Sequence, residues 1–135
     1  MVNQQFAFAV HTLTALSVNK QGAMTSDQIA KSVNTNPVVI RRLLAKLAKR
    51  ALVETQLGKN GGVKLKRKPQ DITLKDIYMA INDKKLISEN ENAANKKCPI
   101  SCKMKTLMKD IIDNSEKATL KYLSSIKLSE LSEQI

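Results

Sequence analysis

Apolar positions recur at helical steps along most of the chain. Phe6, Val10, Leu13 and Leu16 fall on one face over residues 4–19 and predict a first amphipathic helix. A polar turn at residues 20–23 ends it. Thr25-Ser26-Asp27-Gln28 then has the form of a capping box, a hydroxyl followed three residues later by a side-chain amide that reaches back. A short helix carrying Ile29, Ala30 and Val33 follows. At Asn36-Pro37 the chain breaks and restarts. Asn is a favoured N-cap, and Pro at the first helical position gives up an N–H that would have no intrahelical partner. The third helix is predicted over residues 37–50, burying Ile40, Leu43, Leu44 and Leu47.

Beyond residue 50 the helical period gives way. Residues 52–55 and 63–66 read as two strands around Gly58-Lys59-Asn60-Gly61-Gly62, a hairpin tip whose glycines permit positive φ and close backbone approach to a phosphate. Pro69 closes the hairpin, and Thr73-Leu74-Lys75-Asp76 caps a fourth helix with Ile72 and Ile77 as its hydrophobic staple. Residues 82–97 are polar and aperiodic, hence a loop. From residues 98–102 to about residue 123 a long helix is predicted. Met104, Leu107, Met108, Ile111, Ile112, Leu120 and Leu123 mark its stripe, which is interrupted at residues 115–118. Residues 127–135 add one more short helix.

Two short helices joined by a turn, the second one basic, followed at once by a basic Gly-rich hairpin, make a winged helix-turn-helix. The fold class expected is therefore mainly α with a small β-hairpin wing and a long C-terminal dimerisation helix. Residues 1–82 form the DNA-binding unit, and residues 83–135 the Cys-containing loop and the dimerisation helix. A long apolar stripe with no later domain to cover it calls for a second copy of the chain. The alternative is that it folds back on the first helix.

Composition narrows the function. With 42% hydrophobic and 26% charged residues among 135, the chain can bury a core, and with only 3% aromatics that core is aliphatic. No apolar run approaches the about 20 residues of a membrane span, and the N-terminus lacks the basic start of an export signal. Together with only two Cys, this leads to a cytoplasmic expectation. The net charge is +11, and its placement is one-sided: residues 1–70 hold 12 Lys and Arg against two acids, Asp27 and Glu54, whereas residues 71–135 hold 11 against 10. The first half should meet a polyanion. A single His makes a mononuclear zinc site or a His-based triad hard to build, so no catalytic residue, metal ligand or enzymatic activity is assigned. A thiol enzyme would want a Cys-x-x-Cys, a βαβ pattern or a base beside the Cys, and none is present. The alternative function is a basic RNA- or ribosome-associated module, which the scarcity of stacking aromatics weakens.

The wording and order of these segments resemble the Rrf2 family of bacterial transcription regulators. The carrying residues are the run Met24 to Ala30, Val39-Ile40-Arg41-Arg42-Leu43-Leu44 continuing to Leu47, and Leu52-Val53. They continue with Gly58-x-x-Gly61-Gly62-x-x-Leu65, Ile72-Thr73-Leu74-x-Asp76-Ile77, and a late Cys pair before the long helix. Cys98-Pro99-Ile100-Ser101-Cys102 is similar to the subgroup with Cys-Pro-x-x-Cys, a set of repressors. The resemblance implies a homodimer whose long helices cross-pack, with one winged helix per protomer in the major groove of a palindromic operator. The chain also departs from the pattern. Ala51 stands where the family usually has Gly, Leu57 where the wing commonly has Arg, and Arg41 where some members read bases with an acid.

On this reading Asn36, Val38, Arg41 and Arg42 lie on the leading turns of the recognition helix. One Arg would bridge guanine O6 and N7 and the other a phosphate, while Val38 would meet a thymine methyl. Thr25 and Ser26, at an exposed helix start, suit a phosphate. The wing tip presents Lys59, Asn60 and Gly61, and Lys46, Lys49, Lys64, Lys66, Arg67 and Lys68 add unspecific attraction. Neutralising about six phosphates gives a salt slope of about −5.

Cys98 and Cys102 are four residues apart, near a helix start and among Lys96, Lys97, Lys103 and Lys105, a setting that favours thiol reactivity. Three readings stay open: a thiol redox or electrophile switch, buried thiols without a sensing role, and an iron–sulfur cluster. Some family members hold such a cluster through three Cys of this region plus another ligand. With two Cys it would need His11, an acid, or the pairs of both copies, so no cofactor is expected. A disulfide within one helical turn would strain or unwind the helix. His11 and the five Met residues are taken as packing or surface residues.

Overall fold

The computed structural model describes residues 4–82 and 86–135. Its elements run α1 (Gln5–Val18), α2 (Ser26–Val33), α3 (Pro37–Lys49), β1 (Val53–Gln56), β2 (Gly62–Leu65), α4 (Leu74–Ile81), α5 (Pro99–Ser124) and α6 (Leu128–Ser132). The fold is mainly helical with one antiparallel hairpin, as the apolar pattern predicts. Each predicted cap is present. Thr25 Oγ1 accepts from the Gln28 amide at 3.2 Å while Gln28 Oε1 accepts from the Thr25 amide at 2.9 Å. Thr73 and Asp76 reproduce that reciprocal pair at the start of α4, and Asn36 Oδ1 accepts from the Val38 amide at 2.9 Å.

One core unites these elements. Leu13, Ile29, Ile40, Leu47, Leu52, Ile72 and Ile77 are fully buried. Ile72 and Ile77 are the two residues of the expected staple. The hairpin pairs Val53 with Leu65 and Glu54 with Lys64, so both strands lie one residue from the predicted positions. Leu52 is displaced from β1 because it closes the end of α3, its amide donating to the Leu47 carbonyl at 3.1 Å. A third short segment joins the sheet. Met24 and Val63 exchange amide–carbonyl bonds of 2.9 and 2.7 Å.

The C-terminal residues return to this core. Thr73 bridges Lys127, Leu74 N–H donates to Ile126 O at 2.9 Å, and Leu128 N–H donates to Ile72 O at 2.8 Å. Leu123 and Leu128 belong to the same buried cluster as Leu13 and Ile77. The expected boundary at residue 82 therefore separates chain segments that share one core.

Helix α5 is divided along its length. Ile112 and Leu123 are buried within the protomer, and Leu120 packs against its core. Packing within the protomer thus engages these three residues of the expected dimerisation stripe. The reason is α4, against which α5 packs. The interruption at residues 115–118 falls in this stretch, where Glu116 accepts a hydrogen bond from the Tyr78 hydroxyl at 3.2 Å. Toward the N-terminal end, Met104, Leu107 and Ile111 are exposed and Met108 half-buried.

Candidate nucleic-acid interface

The capping box that opens α2 holds Thr25 at the surface and Ser26 half-buried beside it. A helix start leaves its first amides without intrahelical partners, so this end can take an anion. Helix α3 turns Ile40, Leu43, Leu44 and Leu47 inward. Asn36, Val38, Arg41 and Arg42 stay exposed on its leading turns, Val38 at 45%. Asn36 Oδ1 is already engaged as the cap, which leaves its amide nitrogen to face a ligand.

The two arginines part ways. Arg41 lines an open groove of about 540 Å³ with Thr25, Ser26, Gly58, Gly61 and Gly62, so it faces both the start of α2 and the wing. Its Nη2 lies 3.7 Å from Asp27 Oδ1. Arg42 instead flanks a small cleft with Gln5, Val39 and Lys46. Lys46 is half-buried and donates to Gln5 Oε1 at 3.0 Å, tying α3 to α1.

The wing is a tight turn. Gly61 N–H donates to Gly58 O at 2.9 Å, placing Lys59 and Asn60 at the exposed tip, with Asn60 at φ 68. A side chain on Gly61 would collide with the carbonyl oxygens of Gln56 and Gly58. Gly62, at φ 144, lets β2 approach Met24 so closely that a Cβ would strike the Met24 carbonyl. Wing and α2 start are thereby held as one piece, a link that residue patterns alone did not reveal. Its only sequence signal is the paired glycine facing a short extended stretch before the cap. Of the remaining bases, Lys64 pairs with Glu54 at 3.6 Å and Arg67 with Asp76 at 3.9 Å. Lys49, Lys66 and Lys68 are exposed.

The cysteines sit elsewhere and differ from each other. Cys98 is the N-cap of α5, with extended backbone at φ −109, and its Sγ accepts from the Ser101 amide at 3.5 Å. It also lines a cavity of about 280 Å³ with Ala93, Ala94, Met104 and Met108. Cys102 is exposed in the first turn, its Sγ donating toward the Asn95 carbonyl at 3.6 Å. Iron–sulfur clusters ordinarily take four thiolates or a mixed set of equal number. Among the described residues no third His, Cys, Asp or Glu joins the two thiols to form a metal-binding group, and His11 Nε2 is bonded to Ser32 Oγ at 2.9 Å on another face. The two thiols and their described surroundings supply only half of such a donor set.

A helix-turn-helix whose second helix exposes its leading turns beside a basic hairpin is the architecture of a winged-helix DNA-binding protein. The family model of Rrf2, described as an iron-dependent transcriptional regulator, matches residues 2–134. The chain belongs to the Rrf2 family and is a transcription regulator whose partner is DNA. A relative in Bacillus subtilis (strain 168), named as the HTH-type transcriptional regulator YwnA, is 33% identical over 132 residues, covering 97% of this chain and 96% of its own. A crystal structure of a protein described as DNA-binding superposes with TM-score 0.75 at 31% identity, covering 94% of this chain and 97% of that one. CymR of B. subtilis, named as the global cysteine regulator, shares the fold at TM-score 0.71 and 20% identity, over 100% and 98% of the two chains. No described helix is long and apolar enough to cross a membrane.

Proposed function

We propose that the protein is a homodimeric, sequence-specific repressor that reads a palindromic operator with α3 and the wing. The observation that carries this reading is the shared groove, in which Arg41, the capped start of α2 and the wing glycines Gly58, Gly61 and Gly62 converge on one face. Arg41 contacts a base, Arg42 and the first turn of α2 contact phosphates, and Lys59 and Asn60 track the backbone beyond. The exposed part of α5 supports the dimer. Ile100, Met104, Leu107 and Ile111 follow the three- and four-residue steps of a helix–helix seam. A second copy covering that seam would set two recognition helices about 34 Å apart or a multiple of it.

Thiol chemistry at the Cys pair tunes the complex. Cys98 caps the helix that carries the seam, so oxidation or alkylation of its sulfur removes the cap and loosens the dimer. No resident cofactor is part of this reading.

Selection of bound duplexes from a randomised library tests it, run with reduced and with oxidised protein at about 150 mM salt to suppress unspecific binding. An enriched palindrome is the expected result, with Arg41→Ala losing preference at one base step per half-site. Enrichment that is identical in both redox states would remove the thiol switch. No enrichment in either state would remove operator reading altogether.

A further inference from the structure

We propose that Asp27 determines DNA sequence preference by holding Arg41 in place and by penalising complexes in which Arg41 turns elsewhere. The proposal rests on the assignment of Arg41 to base readout. Residues 1–70 contain two acids, and Asp27 is the one set against α3, within 3.7 Å of the Arg41 guanidinium. The pair is a poor device for stability. The two side chains are 58% and 70% exposed, where ion pairs contribute little. Its position matters more: Asp27 is the second residue of α2, directly after Thr25 and Ser26, which line the groove with Arg41.

At 3.7 Å the carboxylate steers the guanidinium without consuming a donor, so the Arg fork stays available for guanine O6 and N7. On a matching site Arg41 meets the base and remains beside Asp27, whose charge stays neutralised. On a mismatched site the long Arg side chain can gain only by reaching a phosphate. That move leaves Asp27 unpaired at the rim of a surface that faces the phosphate backbone, and like charges then repel. Asp27 therefore weakens binding to every wrong sequence more than to the right one.

The test compares wild type, Asp27→Asn, Asp27→Glu, Arg41→Ala and the double variant on the selected operator, on its single-base substitutions and on a random duplex. For Asp27→Asn, random-duplex affinity should rise by about three- to tenfold and the salt slope should steepen by about one as Arg41 finds a phosphate. The penalty for changing the base read by Arg41 should shrink from about tenfold or more to about threefold or less. Asp27→Glu, which still reaches the guanidinium, should keep the preference. The double variant should show no loss of preference beyond that of Arg41→Ala, because Asp27 acts through Arg41. If Arg41→Ala flattens the base preference while Asp27→Asn leaves it intact, the proposal is overturned. Loss in Asp27→Glu as large as in Asp27→Asn would overturn it equally. If Arg41→Ala changes no base preference, the readout assignment itself fails and takes this inference with it.

Discussion

Replacing Ala51 by Gly should stabilise the protein, against the usual direction of such a change. Helix α3 ends with Leu52 N–H donating to Leu47 O at 3.1 Å and Ala51 N–H donating to Ala48 O at 3.0 Å. These two bonds form a Schellman motif, which requires a left-handed residue between helix and strand. Ala51 is that residue, at φ 58. An L side chain held there costs about 1–2 kcal/mol. Gly removes that cost and gives back about 0.4–1 kcal/mol through the greater freedom of its unfolded chain. The Ala51 methyl is only half-buried, so its removal opens no cavity in the core. The net gain is about 0.5–1 kcal/mol, a rise of about 2–5 °C in Tm for a domain of this size. Thermal melts and urea midpoints at matched protein concentration measure it, because any self-association would make Tm depend on concentration. Gly22→Ala is the opposite arm of the experiment. Gly22 sits at φ 94 with open space where a Cβ would lie, so the added methyl meets strain without a clash and should cost about 1 kcal/mol. A destabilised Ala51→Gly would refute the reasoning, since it would mean that the methyl contributes more by packing than the backbone conformation costs.

Leu107 is 54% exposed on the outer face of α5, so Leu107→Asp should leave the protomer folded and break the proposed dimer. Sedimentation should then report a monomer with operator affinity reduced by at least about a hundredfold; an unchanged dimer would place the interface elsewhere. Gly62→Ala should destabilise by about 1–3 kcal/mol in urea melts, because its Cβ meets the Met24 carbonyl and lies 3.1 Å from the Thr25 nitrogen at a φ that L residues avoid. An unaltered midpoint would show that the wing does not depend on that close approach. Tyr78→Phe should cost about 1–2 kcal/mol through loss of the bond to Glu116. Burial, aided by the charge of Glu116, pushes the Tyr78 hydroxyl above its ordinary value of 10.0. The stability its neutral form supplies is thus complete below pH 10 and is lost as pH rises through the raised folded value. Wild type should lose stability there that Tyr78→Phe does not, and parallel alkaline limbs for the two proteins would contradict this.

What sequence reveals here is what local chemistry decides. Thr25 with Gln28, Asn36 with Pro37, and Thr73 with Asp76 place helix starts through bonds spanning two or three residues, and each is where pattern and propensity put it. The groove is harder to foresee because it depends on Met24 and Val63, 39 positions apart, and on a glycine whose value lies in what it allows to come near. The periodicity of α5 hid a similar division. Ile111 and Ile112 are adjacent and equally apolar, yet one is 53% exposed and the other 1%. The stripe marks which faces of a helix are apolar but not which surface covers each. Only the packing against α4, and the return of Leu128 into the core, separate the residues that hold the protomer together from those left exposed. The exposed stripe of α5 and the groove beside α3 are joined through this same scaffold. Tyr78 is buried in the core against Phe6 of α1 and bonded to Glu116 of α5, which ties α5 to the α1–α4 scaffold. On the proposed thiol switch, that tie is the route by which a change at Cys98 would reach α3.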